Sequence, residues 1–267
     1  MIVRRTLFLS GVAVLCAWTL APIYLIFLGA LGGPNLVAHW PKPFVPFAMS
    51  FGALRYFLDI QGVWTATLYS VEAAALCMLL SIVLGIPAGY ALARFAFLGA
   101  VPFRLMVLMT RAFPVAILAL PLTVTFIRLG LYDSPVGVGV MHTTLALPFA
   151  VLVSASLFQA IPNEFEEAAW VFGCSRVSAF FRVVLPLALP GIAATAIFAF
   201  VISWNEVFAA SVLTVRHRTL TAYLLSVLSE SPLHVQFAGG FLLIVPSVLF
   251  VFLVRRHLFA AWGISSR

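Results

Sequence analysis

An all-α membrane protein is the fold class this sequence predicts, and three observations carry the reading. Hydrophobic residues make up 64% of the 267 residues and charged residues only 9%, against roughly 45–50% and 25% in a soluble domain. The apolar residues gather into runs of about 20, the length an α-helix needs to cross the hydrocarbon of a bilayer. Those runs are continuous rather than alternating, which suits helices and excludes barrel strands. The formal charge of +7 does not point to nucleic acid. The basic residues stand singly or in pairs between apolar runs, where they orient a protein in a bilayer and meet membrane lipid.

Six spans follow in chain order. Arg4 and Arg5 precede an uncharged stretch from Thr6 to Leu31. That stretch is too long for the apolar core of a signal peptide, so residues 7–31 read as an uncleaved first span. The second covers 66–93 and stops at Arg94. The third runs over 105–127, the fourth over 137–158 and the fifth over 188–212. The sixth, 237–254, is closed by Arg255 and Arg256. Between the first two spans, Pro34, Pro41, Pro43 and Pro46 preclude a regular helix. Trp40 and several phenylalanines there suit the membrane interface. That segment, 32–65, either touches a partner protein or lies against the bilayer. No internal repeat or linker divides the chain, so 1–267 reads as a single transmembrane domain.

Orientation comes from the basic residues. With the N-terminus inside, Arg4, Arg5, Arg94, Arg104, Arg176, Arg182, Arg255, Arg256 and Arg267 lie on the cytoplasmic side. Lys42, Arg55, Arg128, Arg216 and Arg218 lie outside. Nine against five places both termini in the cytoplasm by the positive-inside rule.

The loop of residues 161–187 then also falls inside, and it is unusual. Asn163 can cap a helix, with Glu166 reaching back as in a capping box. Glu164, Glu166 and Glu167 crowd the first turn, at the positive end of the helix dipole. Gly173 suits a left-handed stop. Ser175 can cap a second short helix, which Pro186 closes. Phe165, Trp170 and Phe172 are poor choices for a solvated loop and fit a partner groove. The alternative is an amphipathic helix lying on lipid, against which three glutamates beside anionic headgroups argue.

The spacing Glu167-Ala168-Ala169, three residues, Gly173, nine residues, Val183, one residue, Leu185-Pro186 resembles the EAA loop of ABC importer permeases. Further segments resemble the smaller permease of maltose-type carbohydrate importers. They are Gly89 to Phe95, Gly130-Leu131-Tyr132, Pro148-Phe149, Ile161-Pro162, Leu185-Pro186-Leu187, Ser203-Trp204-Asn205-Glu206, Phe237-Ala238 and Pro246. Three features depart from the sugar pattern. Phe172 stands where sugar permeases have an aspartate, the tail Gly263 to Arg267 lacks a lysine-glycine finish, and Met141-His142-Thr143-Thr144 is similar to polyamine-type permeases.

The resemblance implies a type I ABC importer permease fold and a bacterial or archaeal cytoplasmic membrane location. It also implies a second, different permease, two ATPase subunits and an extracytoplasmic binding protein as partners. The solute is a carbohydrate or polyol, with polyamine, iron, thiamine or another small solute as the alternative. Coupling to the ATPase falls on Glu164, Glu166, Glu167, Ala168, Ala169, Trp170, Phe172 and Gly173. A stand-alone channel or secondary carrier is the competing class, although a carrier of this size would show inverted repeats around a midplane charge.

The one lysine, Lys42, is followed by Pro43, so no phosphate-binding loop with its lysine-serine/threonine pair exists here. Cys16, Cys77 and Cys174 and the five dispersed histidines form no metal or disulfide pattern. No cofactor is expected on this chain; ATP and magnesium belong to the partner ATPase. Ionisable residues inside spans are functional candidates by default. Trp204, Asn205 and Glu206 in the fifth span supply a stacking face and hydrogen bonds for a hydroxylated solute, or a structural bond to a neighbouring span. Arg111, roughly 10 Å deeper than Arg104, either snorkels to the cytoplasmic face or guards an inner gate. Glu72 reads as interfacial. Gly239-Gly240 reads as a close-packing site between helices.

Overall fold

A computed structural model describes residues 2–40, 45, 49–228 and 230–261, and every regular element among them is helical. Lys42, Pro41, Pro43, Pro46 and the tail from Gly263 to Arg267 lie outside the described residues. Among the described residues, four helices are long and apolar enough to cross a membrane, and a bent helix pair makes a fifth candidate. The chain divides into two compact units, residues 1–64 with 224–246 and residues 65–223 with 247–267.

The first unit contains α1 (Ile2–Leu31), α2 (Gly33–Ala38) and α3 (Gly52–Asp59), with the early part of α13 (Leu233–Ala261). The two short helices correct the expectation that 32–65 carries no regular helix. Pro34 falls in the first turn of α2, where a missing N–H costs nothing. At the expected small-residue site Gly239-Gly240, Gly239 is buried. A Cβ on Gly240 would meet only Ile26, 3.8 Å away, while the ring of Phe237 fills the place a Cβ on Gly29 would take.

The second unit is built on α4 (Val63–Arg94), α7 (Pro135–Ala160) and α10 (Leu185–Asn205). Gly85 and Gly89, one turn apart on α4, lie against Ala150 and Ser154, one turn apart on α7. A Cβ at Gly85 would come within 2.8 Å of the Ala150 Cβ, so only small residues allow this approach. Ser134 begins α7 by accepting from the Gly137 N–H at 3.0 Å, with Pro135 in the first turn.

The third predicted span, 105–127, is not one helix. It is α5 (Ala100–Thr110) and α6 (Val115–Arg128), meeting at 93°. Pro114 supplies no N–H for a continuing helix and disfavours helical geometry at Phe113 before it. The fifth predicted span also ends early. α10 stops at Asn205, and a separate short helix, α11 (Phe208–Leu213), follows before α12 (Leu220–Leu228). At its other end α10 begins sooner than 188. Helix α9 (Arg176–Ala179) passes through a π-turn over Phe180–Val184 into α10, so Arg176–Asn205 is one 30-residue helix. Pro186 does not close a loop helix as expected. It sits in the first turn of α10, where proline is tolerated.

Asp133, at φ +55°, pins the turn between α6 and α7. One carboxylate oxygen accepts from the N–H groups of Val215, Arg216 and His217 at 2.7, 2.8 and 3.0 Å. Partial burial pushes this carboxyl up, but the His217, Val215 and Arg216 N–H groups and the His217 ring outweigh it and hold its pKa below the ordinary 3.8. A carboxyl with a depressed folded pKa stabilises fully above its unfolded value and loses that contribution as pH falls through the folded one. Asp133→Asn should therefore melt lower than the parent at neutral pH, by the roughly 1.5–3 kcal/mol that hydrogen bonds to a charged group carry. The gap should narrow below about pH 4. Thermal unfolding of both proteins in detergent tests this, and equal gaps at pH 7 and pH 3 would remove the charge from the account.

Candidate functional site

Two places in the second unit gather the chemistry, at opposite ends of the long Arg176–Asn205 helix. The first is α8 (Glu164–Val171) and the bend after it. Asn163 is itself helical and its side chain makes no cap bond; its carbonyl accepts the Glu166 and Glu167 N–H groups instead. The capping box does not form, because Glu166 is turned inward and is only 3% exposed. The Tyr90 hydroxyl donates to one carboxylate oxygen of Glu166 at 2.7 Å, and Arg94 Nε donates to the other. Arg94 also reaches the Ile161 carbonyl at 2.9 Å, just past the end of α7.

The stop after α8 is as expected. Gly173 has φ +87°, its N–H donates to the Trp170 carbonyl, and Cys174 N–H donates to the Ala169 carbonyl, each at 2.9 Å. These are the paired bonds of a left-handed helix stop that glycine accommodates without a Cβ penalty. Ser175 then caps α9 by accepting from the Ser178 N–H at 3.2 Å.

Of the remaining predicted coupling residues, Glu164, Glu167 and Ala168 are exposed and Ala169 is buried. Phe172 is 88% exposed, and Phe165, Val171 and Val177 are exposed beside it. Trp170 is partly covered by the Arg176 guanidinium, 5.3 Å from its ring centre. A cleft of about 510 Å³ runs between the end of α4, α8 and the π-turn. Its walls include Tyr90, Arg94, Glu167, Trp170, Phe180 and Phe181. The loop thus presents an exposed apolar and acidic face while one of its glutamates is locked inside.

The second place is the break after α10. Trp204 is buried and stacked on Phe200, with parallel rings 6.0 Å apart. Asn205 is exposed, and its amide donates to the Val201 carbonyl at 2.9 Å and to Ser247 Oγ at 3.4 Å. Glu206 is not inside a continuous span; it stands at the break itself. Its carboxylate accepts the N–H groups of Phe208, Ala209 and Ala210 at 3.0, 3.1 and 3.2 Å. Those donors are the first N–H groups of α11, which have no intrahelical partner.

His142, fully buried on α7, completes the cluster. Its Nε2 lies 3.1 Å from Glu206 and its Nδ1 lies 2.7 Å from Ser203 Oγ. Thr221 Oγ1 donates to the Glu206 carbonyl at 2.8 Å. Arg111 is not part of this cluster. It lies in the α5–α6 bend, exposed, 5.9 Å from the Phe149 ring centre.

Sequence reasoning did not single out Tyr90, Arg94 or His142 as site residues. A tyrosine and an arginine four residues apart at the end of a span share one helix face, which was the available signal for a clasp. A lone histidine in an apolar run carries no comparable signal until its partners, 61 and 64 residues away in sequence, are placed.

Comparison with known proteins gives the chain a family and a fold. Residues 81–261 match the family model described as binding-protein-dependent transport system inner membrane component. An ABC transporter permease protein, ORF1, of Streptomyces antibioticus is 36% identical, over 80% of this chain and 95% of its own length. A trehalose transport system permease protein of Mycobacterium tuberculosis is 29% identical, over 91% of this chain and 90% of its own. Among solved structures, a chain from a bacterial ABC transporter involved in alginate import superposes with a TM-score of 0.75 at 21% identity, covering 96% of each chain.

Proposed function

This chain belongs to the family of binding-protein-dependent transport system inner membrane components, and we propose that it is the permease subunit that couples a separate ATPase to a shared translocation pathway for a carbohydrate or polyol. The observation that carries this reading is α8 with its glycine stop. The helix is fixed at both ends, yet it leaves Phe165, Val171 and Phe172 facing outward beside Glu164 and Glu167. Large apolar side chains exposed together on a rigid element mark a docking surface. The carbohydrate assignment is supported by the trehalose-transport relative, which aligns along nearly the whole chain. Polyamine, iron, thiamine or another small solute is the alternative, and the binding protein discriminates between them: a thermal-shift screen identifies the solute by which class raises its melting temperature.

In this reading residues 1–267 form one permease of the type I importer fold, crossing the bacterial inner membrane six times with both termini in the cytoplasm. It works beside a second, different permease, above two ATPase chains that hold ATP and magnesium, and receives solute from an extracytoplasmic binding protein. No cofactor is bound by this chain. ATP-driven closure of the ATPases moves α8, and the spans reopen toward the outside. Solute shifts that cycle only through different affinities for its states. Glu164, Glu167, Ala168, Trp170, Phe172 and Gly173 form or shape the docking face. Asn205, Glu206 and Arg111 border the pathway, with Trp204 packed behind them.

Purification of the tagged chain from its own membrane tests the assignment. An ATPase and a second permease should co-elute, whereas a solitary chain that still takes up solute would establish the carrier reading instead. Topology has its own test. A cysteine replacing Ser178 should react with a membrane-impermeant thiol reagent only from the cytoplasmic side, and one replacing Ser231 only from outside. The reverse pattern would invert the orientation and leave the docking face on the wrong side.

A further inference from the structure

We propose that Tyr90 and Arg94 are positioning residues that clasp Glu166 and thereby fasten the docking helix α8 to α4, so that α4 receives α8's movement directly. The proposal rests on the coupling reading above and adds the route by which the movement leaves α8.

α8 has eight residues, too few for a helix to be stable without tertiary support. Through Gly173 to Ser175 it is joined covalently to the Arg176–Asn205 helix, but α4 lies more than 70 residues earlier in sequence. Apolar packing does not bridge the whole gap, because the cleft of about 510 Å³ separates parts of α4 and α8. The polar clasp does bridge it. Tyr90 and Arg94 stand one turn apart on one face of α4. Together they satisfy both oxygens of the Glu166 carboxylate. Arg94 Nη2 also holds the Ile161 carbonyl, so a single guanidinium ties together the cytoplasmic ends of α4 and α7 and the start of α8.

The side chains of Arg94 and Glu166 are 9% and 4% exposed, so the pair is largely desolvated. A buried ion pair gains little stability over an apolar contact of the same volume. What it supplies here is a fixed distance and direction, since the planar guanidinium must meet the Glu166 carboxylate through Nε and the Ile161 carbonyl through Nη2 at once. Apolar side chains in its place would let α8 slide over α4. The three glutamates of this turn therefore divide their work: Glu164 and Glu167 face outward to the partner, and Glu166 faces inward to α4.

The test uses the complete transporter, reconstituted with its ATPases, partner permease and binding protein in liposomes. Solute taken up per ATP hydrolysed is measured, a ratio that a loss of protein amount alone does not change. Glu166→Gln removes the charge that pairs with Arg94, and Arg94→Lys removes the planar group that reaches Glu166 and Ile161 together. In both, the ratio should fall by about tenfold, within the 5–150-fold range of coupling between sites. Tyr90→Phe removes one hydrogen bond and leaves the ion pair, and its ratio should fall less. Where the stronger variants fail to assemble, Tyr90→Phe provides the reading. An unchanged ratio in every variant that assembles overturns the clasp. Glu167→Lys, run in parallel, separates the two claims. If it releases the ATPase while the clasp variants keep a full ratio, only the clasp falls. If it keeps both ATPase and uptake, the coupling reading itself falls.

Discussion

Gly173→Leu lowers uptake about tenfold while the chain still reaches the membrane, an effect that only Glu167→Lys should match among single substitutions in the loop. Gly173 holds φ +87°, and a Cβ added there would meet nothing within 4 Å. The penalty is therefore conformational rather than steric, about 1–2 kcal/mol for a side chain in the left-handed region. That is enough to unwind a stop held by two backbone bonds, Gly173 N–H to Trp170 and Cys174 N–H to Ala169. The consequence is directional. α8 would leave its bend toward α9, and its exposed face, the docking face of the proposed coupling, would lose its orientation to the rest of the chain. Asparagine tolerates the left-handed conformation better than other side chains, so Gly173→Asn should retain most of the uptake. Glu167→Lys should match the leucine variant by a different route, reversing an exposed charge in the first turn of α8. Uptake assays with membrane-level controls decide the matter, and normal transport in both Gly173→Leu and Glu167→Lys would remove this loop from the mechanism.

The second large effect is at the α10 break. Glu206→Ala is expected to lower uptake about tenfold or more, and Glu206→Gln to retain most of it. Alanine removes the acceptor for three N–H groups that open α11 and for the His142 ring. Each buried polar group left without a partner costs about 1–3 kcal/mol. Glutamine keeps an oxygen for the Phe208 and Ala209 N–H groups and offers an amide N–H to His142, so only the Ala210 N–H loses its acceptor. The imidazole accommodates this by exchanging tautomers, with Nδ1–H then donating to Ser203 Oγ. Measuring uptake and assembly with the partner permease together separates the roles. Lost uptake in an intact complex supports a pathway role for Glu206. Failure of the alanine variant to assemble makes Glu206 structural and removes it, with Asn205, from the pathway.

The two predictions rest on different kinds of sequence signal. Gly173 was legible because a left-handed stop is a local event, and a glycine following eight helical residues states it within one turn of chain. The acidic first turn and the Ser175 cap were legible for the same reason. The supposed capping box failed because Glu166 had two available partners: the N–H groups of its own helix start, or a guanidinium and a hydroxyl on another helix. Sequence spacing described only the first. At Glu206 the apolar run through Val215 argued for a continuing span, yet the carboxylate ended the helix by taking the N–H groups of the next one. Hydropathy measures what a segment can be buried in, and it does not register where the backbone turns. The α5–α6 bend is an intermediate case, since Pro114 was visible inside the third run and its effect on the preceding residue is local.

What the sequence by itself determined is the helical membrane class, and the helix, glycine stop and capped restart of the loop over 161–187. Each depends on composition or on residues within about one turn of each other, and bilayer solvation leaves the backbone few alternatives. Only the tertiary structure decided which carboxylates are spent internally. Glu166 and Glu206 find their partners 76 and 64 residues away, on helices brought close by small-residue contacts such as Gly85 against Ala150. A charge in a low-dielectric interior must be paired, but no rule of sequence spacing names the distant group that will pair with it.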